Sequence, residues 1–151
     1  RYWHEVLGFN YRMTNIAAAI GVAQFERFTH LRERKRALAR RYRSALAGLP
    51  VTFQRPAADV ESSEWLVSVL LPEGAGRDRA MADMEKAGIE TRPVFYCAHT
   101  MPMYAKGERL PVAEAIAARG MSLPSFPSLT NDEIDRVACA LKEALAAQRI
   151  L

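Results

Sequence analysis

Cysteine and histidine are scarce in this sequence, and their spacing does not suit the sites that they commonly build. The two cysteines, Cys97 and Cys139, lie far apart, and neither belongs to a CxxC pair or a Cys/His cluster. A structural zinc site or a disulfide framework needs several such residues at short spacing. The sequence therefore predicts no bound metal, no disulfide framework and two buried, reduced thiols.

Long apolar runs are also missing. No segment approaches the roughly 20 apolar residues that span a bilayer, and no signal-peptide pattern begins the chain. Half of the 151 residues are hydrophobic and 25% are charged, which is typical of a globular domain with its own core. We expect a soluble, cytoplasmic chain without a membrane partner. Because the first residue is Arg1 and not Met, we expect a piece of a longer protein.

Motifs for self-contained catalysis are absent as well. HEVLG begins like the zinc-protease motif HExxH, but Gly8 stands where the second histidine is needed. GAG at 74–76 lacks the third glycine of a dinucleotide-binding loop, and the sequence has neither a GxSxG motif nor a P-loop. We therefore assign no catalytic residue to this chain.

Positive charge is present, but it is local. Seven of the 21 basic residues lie between positions 32 and 43, where Glu33 alone opposes them. Leu31, Leu38 and Tyr42 recur at helical spacing through the same segment, which predicts an amphipathic helix whose arginines form the solvated face. The alternative is a binding or interaction module that uses the basic helix 31–43. Without a recognition motif or interleaved aromatic residues, we expect no nucleic-acid partner.

Hydrophobic periodicity and turn residues predict an α+β fold. We expect a long helix over 16–49 that bends near Gly21 or Thr29, and strands at 51–54, 64–71 and 90–96. Pro93 cannot donate to a strand ladder and therefore indicates either an edge strand or a break in the strand at that point. Trp65, in the second strand, is expected in the core; its alternative role is a platform for the substrate. The sheet should be small and antiparallel, of about three strands covered by helices.

Helix boundaries are marked clearly by capping residues. Thr14 or Asn15 can cap the first helix, and Gly88 ends a short helix over 77–87. Pro111 suits the first position of a helix that ends at Gly120. Thr130 and Glu133 match a capping box for the last helix.

Two segments stand out as candidate sites. GFNYRMTN at 8–15 is a polar turn in which Asn10 could bind a phosphate or merely cap its own turn. RPVFYCAHTMPMY at 92–104 sets Arg92, Tyr96 and His99 close together in sequence. Aromatic rings beside an arginine and a histidine suit an anionic ligand, although a lone histidine is more often structural.

Residues 8–28, GFNYRMTNIAAAIGVAQFERF, resemble the segment G-x-N-Y-R-M-(T/S)-x-x-x-A-A-I-G-x-x-Q-L-x-R of the DegT/DnrJ/EryC1/StrS family of pyridoxal-phosphate-dependent sugar aminotransferases. The similarity continues through ESSEWLVSVLL, GIETRPVFYCAHTMPMY and RGMSLPSFPSLTNDEID, in order, over nearly the whole chain. The resemblance implies the C-terminal small domain of a fold-type I aminotransferase. Residues 1–15 would form an interface and a cofactor-proximal turn, 16–49 the long helix and 50–151 an α+β body.

The resemblance also implies a cofactor, pyridoxal phosphate, bound mainly by an upstream catalytic domain that is absent here. The Schiff-base lysine of the family lies in that domain, and no lysine of this chain has a matching context. The chain alone is therefore expected to be inactive. In the family, the asparagine matching Asn10 reaches across a homodimer to the cofactor phosphate of the neighbouring subunit.

By the same resemblance, Arg92, Tyr96 and His99 approach the nucleotide-sugar substrate. Arg92 would bind a diphosphate or carboxylate; its alternative role is to pair with a surface acid such as Glu90.

The sequence of 90–104 and 123–130 is most similar to the perosamine synthase branch of the family. This similarity implies amino transfer, probably from glutamate, to GDP-4-keto-6-deoxymannose. Cys97 stands where relatives often carry proline. The alternatives are the interaction module described above and a regulatory member of the same family.

Overall fold

A computed structural model describes residues 2–151 of the chain. It contains five α-helices and four short strands among these residues. The helices are α1 (Asn15–Phe25), α2 (Phe28–Ala45), α3 (Arg77–Lys86), α4 (Pro111–Arg119) and α5 (Asn131–Ala146). The strands are β1 (Thr52–Phe53), β2 (Val67–Leu70), β3 (Arg92–Pro93) and β4 (Gly120–Leu123).

The four strands form one antiparallel sheet in the order β1-β2-β4-β3. This confirms the α+β class, the antiparallel sheet and the edge position of Pro93. The sequence does not predict β4, because GMSL contains no β-branched or aromatic residue and Gly120 indicates only a helix end. All four residues of β4 are buried, since the strand lies between β2 and β3.

The long helix expected over 16–49 is divided into α1 and α2. The break is at Glu26–Arg27, not at Gly21 or Thr29, and there the Arg27 N–H donates to Gln24 instead of to the residue four positions earlier. Helix α2 is fixed by the burial of Leu38, Ala39 and Tyr42, whereas α1 has no buried residue. Packing therefore sets the direction of α2 only, and α1 leaves it at a local kink.

The core lies between the sheet and helices α2, α3 and α5. Its largest fully buried side chains come from all these elements, and they are Leu38, Tyr42, Leu46, Val69, Leu71, Met84, Met121, Ile134, Leu141 and Leu145. The strand register explains which residues of the sheet belong to the core. Val69 and Met121 are direct partners on β2 and β4, and so their side chains point to the same face. Burial of this apolar surface is the main term that stabilises the domain.

The capping residues predicted for α1, α3, α4 and α5 are confirmed, whereas α2 ends at Ala45 and not at 49 as expected. Thr14 caps α1 by accepting from the Ala17 N–H at 3.2 Å, and Thr130 and Glu133 form both halves of the capping box at α5. Pro111 occupies the first turn of α4. Gly88 follows α3 with φ of +76°, a left-handed conformation that glycine adopts without steric cost.

Residues 2–30 contrast with the rest of the described chain. None of residues 2–30 is buried, and the exposed side chains include Phe9, Tyr11, Ile16 and Ile20. The expectation of buried thiols is wrong: Cys139 is exposed on α5 and Cys97 is partly buried, and both are free. The reason is helical phase, since Cys139 lies on the outer side of α5 between the buried Ala138 and Ala140.

Candidate functional site

The turn at 8–15 holds Asn10 through its side-chain oxygen. Asn10 Oδ1 accepts a hydrogen bond from the Arg12 N–H at 2.8 Å, and Arg12 has φ of +74°. The turn-capping role considered for Asn10 is therefore present in the structure. The same bond uses only the oxygen of the amide, and the exposed Asn10 side chain has its amide nitrogen available as a donor.

Arg92 lies on the edge strand β3, where two groups bind its guanidinium. Its Nη1 donates to the Tyr2 hydroxyl at 3.3 Å, and its Nη2 is 3.6 Å from Glu90 Oε1. The surface pairing with Glu90 thus occurs in the structure. The hydrogen bond to Tyr2, followed by the nearby Glu90, raises the pKa of Arg92, so its charge is constant. Arg92 faces the same side of the sheet as Ser122, its partner in register.

Aromatic side chains connect the start of the described chain to the segment after β3. The Tyr2 ring meets Phe95 edge-on at 5.0 Å between centroids, and Trp3 meets Tyr96 edge-on at 6.0 Å. Two consecutive residues of one segment thus contact two consecutive residues of the other. These contacts fix the segment that carries Tyr96.

His99 lies in a short 3-10 turn, Ala98–Thr100, and its side chain is only 10% exposed. Its Nε2 is 3.2 Å from Glu114 Oε1 on α4. The Leu110 N–H, and then His99, lower the pKa of Glu114, which is therefore a charged partner at neutral pH. This geometry is the structural role that a lone histidine commonly has.

A groove of about 1050 Å³ lies between α2, the sheet and the β4–α5 connection. Arg92 and Phe95 line it, whereas Asn10, Tyr96 and His99 do not. The structure therefore brings only one of the four predicted site residues to the groove. Charged side chains on its wall are four cations and two carboxylates, namely Arg32, Lys35, Arg92, Arg136, Glu90 and Glu133.

Trp65 also lines the groove, and the expectation that it is a core residue is wrong. Its exposed fraction is 67%, and its ring stacks on Phe95 with centroids 6.3 Å apart and planes inclined by 25°. Strand β2 begins only at Val67, so Trp65 precedes the strand. Glu64, immediately before it, has φ of +52°, which turns the chain out of strand geometry.

Most of the basic residues on α2 bind other parts of the same chain, which corrects the interpretation of a solvated face. Arg34 donates to the carbonyls of Pro127 and Leu129, and Lys35 donates to those of Trp65 and Ser125. Further along the helix, Arg36 pairs with Glu61, Arg41 with Asp135 and Arg43 with Glu64. Burial lowers the pKa of Lys35, and Glu64 partly opposes this.

Lys35 is a groove residue that the sequence analysis does not predict, although its helical spacing indicates this position. Lys35 continues the stripe of Leu31, Leu38 and Tyr42 at helical spacing and so occupies a core-facing position. Tyr42 completes the same row, because its buried hydroxyl donates to the Pro124 carbonyl at 2.8 Å. Three side chains of α2 thus bind the carbonyls of one proline-rich connection.

Residues 2–151 contain no group of three or more His, Cys, Asp or Glu side chains that could hold a metal ion. No helix in this part of the chain has both the length and the apolar character needed to cross a membrane.

Curated relatives match the chain over almost its entire length. The GDP-perosamine synthase of Vibrio cholerae is 42% identical over 147 residues, which cover 94% of this chain and 40% of the relative. The GDP-perosamine synthase of Caulobacter vibrioides is 43% identical over 152 residues, with 96% and 41% covered. The chain thus spans about two fifths of the length of these relatives.

Solved structures support the fold. Spr1654 from Streptococcus pneumoniae, in its PMP form, superposes with a TM-score of 0.82 over 93% of this chain and 36% of its own, at 24% identity. DesI, analysed in the presence of its TDP-sugar product, gives a TM-score of 0.81 at 29% identity over 91% of this chain and 37% of its own. The family model described as the DegT/DnrJ/EryC1/StrS aminotransferase family matches residues 1–142. The chain belongs to the DegT/DnrJ/EryC1/StrS aminotransferase family.

Proposed function

We propose that this chain is the C-terminal part of a pyridoxal-phosphate-dependent sugar aminotransferase of the cytoplasm. The full enzyme would transfer an amino group from glutamate to a nucleotide-linked keto sugar, GDP-4-keto-6-deoxymannose, and so form GDP-perosamine. The observation that carries this proposal is the 42–43% identity to GDP-perosamine synthases of three bacteria, over at least 94% of the chain.

The residues of the opening turn fit a role in holding the cofactor. Asn10 is exposed, its oxygen is fixed by the Arg12 N–H, and its amide nitrogen can donate to a phosphate oxygen. Pyridoxal phosphate, when bound, supplies an electron sink for amino transfer. The role proposed for this chain is to bind the cofactor phosphate of the neighbouring subunit in a homodimer. The exposed apolar residues of α1 support such an interface.

Arg92 is the residue proposed to bind the substrate diphosphate. Its guanidinium is half exposed, it lines the groove, and its planar fork suits phosphate oxygens. Tyr96 and His99 are proposed as further substrate contacts from the segment that follows. His99 would contribute through Nδ1, because Glu114 occupies Nε2. Glu114 thereby orients the ring.

A function without catalysis has less support. A nucleic-acid or protein ligand of the basic helix would need free cations, yet most of those on α2 already bind carbonyls or carboxylates of this chain. A salt-dependent titration with nucleic acid tests this alternative, and an affinity that falls steeply with salt would favour it. A regulatory member of the same family would bind the cofactor without producing an amino sugar.

The decisive experiment uses the full-length protein with GDP-4-keto-6-deoxymannose, glutamate and pyridoxal phosphate. We expect GDP-perosamine by mass spectrometry and a glutamate-dependent change in the absorbance of the bound cofactor. Residues 1–151 alone, assayed in parallel, should give no product. Cofactor binding without product from this sugar or from other nucleotide-linked keto sugars would contradict the proposed activity. Product from residues 1–151 alone would contradict the assignment of the cofactor lysine to an upstream domain.

A further inference from the structure

Two stacked aromatic rings at the groove are more exposed than core residues and are not explained by packing. Trp65 is 67% exposed and Phe95 is 54% exposed, although each is the other's stacking partner. Tyr2 also contacts Phe95, in an edge-on arrangement with ring centroids 5.0 Å apart. A large exposed aromatic surface beside a groove is typical of a ligand contact.

The backbone that presents Trp65 is held by polar contacts. Lys35 donates to the Trp65 carbonyl at 2.5 Å, and Arg43 Nη2 is 3.3 Å from Glu64 Oε1. Ser62 accepts from the Glu64 N–H at 3.1 Å. Glu64 itself is held in the left-handed region at φ of +52°, a conformation that costs a non-glycine residue energy and is most often kept at functional sites. The backbone that carries Trp65 is thus held in place by other parts of the chain.

The charge of the groove favours an anionic ligand. Its wall carries four cationic side chains against two carboxylates. One of the four cations, Arg32, has its guanidinium 5.7 Å from the Phe28 ring centre. Its buried Nε has no hydrogen-bond partner among the described residues. The groove therefore combines an aromatic wall with donors for negative charge.

We propose that Trp65 and Phe95 form a stacking platform for the base of the substrate's nucleoside diphosphate. The base would stack on the Trp65 ring, and the diphosphate would lie toward Arg92, which shares the groove with both rings. Every nucleobase has a flat π-face, so stacking of this kind holds the nucleotide without contacting the reacting sugar. This assignment rests on the proposed function, and it adds Trp65 and Phe95 to the substrate site.

The test measures GDP binding to the full-length protein by calorimetry, with wild type, Trp65→Ala and Trp65→Phe. We expect Trp65→Ala to weaken GDP binding by roughly 5- to 100-fold, because it removes one base-aromatic stack. Trp65→Phe retains an aromatic face and should stay close to wild type. Inorganic pyrophosphate, which has no base, should bind all three proteins equally.

Controls separate stacking from distortion of the fold. Cofactor absorbance and melting temperature should be the same in the three proteins, and Val112→Ala, an exposed truncation on α4 outside the groove, should bind GDP like wild type. The platform is wrong if wild type does not bind GDP, if Trp65→Ala binds GDP normally, or if pyrophosphate affinity falls with GDP affinity. A wild-type protein that forms no amino-sugar product, but whose GDP binding depends on Trp65, would contradict the proposed function and not the stacking platform.

Discussion

At the scale of single residues, the amide of Asn10 can serve two neighbours at once. Its oxygen accepts from the Arg12 N–H, while its nitrogen is available to a ligand. The two roles considered for Asn10 are thus compatible. They can be separated by variants, because aspartate keeps an acceptor for the Arg12 N–H but has no donor.

We therefore predict that Asn10→Asp in the full-length protein harms cofactor binding more than Asn10→Ala. Loss of one hydrogen bond to a charged group costs about 1.5 to 3 kcal/mol, or roughly a tenfold to hundredfold loss of affinity, and aspartate adds repulsion between like charges. Absorbance titration gives the dissociation constant of the cofactor. If aspartate binds cofactor like wild type and only alanine lowers thermal stability, Asn10 caps its turn and does nothing more.

At the scale of elements, α2 connects the parts of the domain through polar contacts as well as packing. Its apolar face is in the core, while Arg34, Lys35 and Tyr42 bind carbonyls of the β4–α5 connection. Two prolines in that connection, Pro124 and Pro127, lack N–H groups. The connection therefore depends on α2 for hydrogen bonds that a local turn would otherwise make.

A second element, β4, begins where α4 ends, and this junction requires glycine at position 120. A Cβ there would lie 2.7 Å from the Ile116 carbonyl oxygen and 2.7 Å from Val94 Cγ2. We predict that Gly120→Ala lowers the free energy of unfolding by about 1 to 3 kcal/mol through overpacking. The measurement is denaturant unfolding of residues 1–151.

Gly21→Ala is the matched control for this substitution. No atom lies within 4 Å of a Cβ at Gly21, in the middle of α1, so alanine should stabilise that helix by about 0.5 to 1 kcal/mol. The two substitutions are therefore expected to change the free energy of unfolding in opposite directions. Equal stability of Gly120→Ala and wild type would contradict the close packing of the α4–β4 junction.

The capping box of α5 gives a prediction about pH. Hydrogen bonds from the Thr130 N–H, and then from its hydroxyl, lower the pKa of Glu133 below 4.5. Because the folded-state pKa is depressed, this contribution is present above about pH 4.5 and is lost as the pH falls through the folded-state value. Glu133→Gln should therefore show a smaller loss of melting temperature on acidification than wild type. Identical pH profiles would mean that the carboxylate contributes nothing to the cap.

At the scale of the whole molecule, the described chain has a packed body and an unpacked beginning. The core includes residues from α2 to α5, whereas residues 2–30 contribute exposed aromatic and aliphatic side chains. An apolar surface of this kind commonly marks an interface. Such exposure is consistent with the proposed homodimer.

We predict that residues 1–151 self-associate through this surface. The double substitution Ile16→Gln and Ile20→Gln removes two apolar side chains one turn apart on α1, which has no buried residue, so the fold should be unaffected. Sedimentation velocity should show oligomers for wild type and a shift toward monomer for the variant. Val112→Gln, an equally exposed site on α4, is the control. A monomeric wild type would contradict the interface.

The sequence by itself determined the features that depend on neighbours within one or two turns. Thr14, Gly88, Pro111 and the Thr130 capping box set the helix boundaries, and Pro93 placed its strand at an edge, because caps and missing N–H groups act locally. The family was likewise readable in the order of the motifs, and the match over residues 1–142 confirms it.

Only the tertiary structure decided the features that depend on distant partners. Strand β4 exists because β2 and β3 pair with it on both sides, and Lys35 is a groove residue because carbonyls 30 and 90 positions away face it. Trp65 is exposed because the chain turns at Glu64 before β2 begins. Periodicity and propensity describe one segment at a time, whereas pairing, burial and groove lining are properties of segments brought together by the fold.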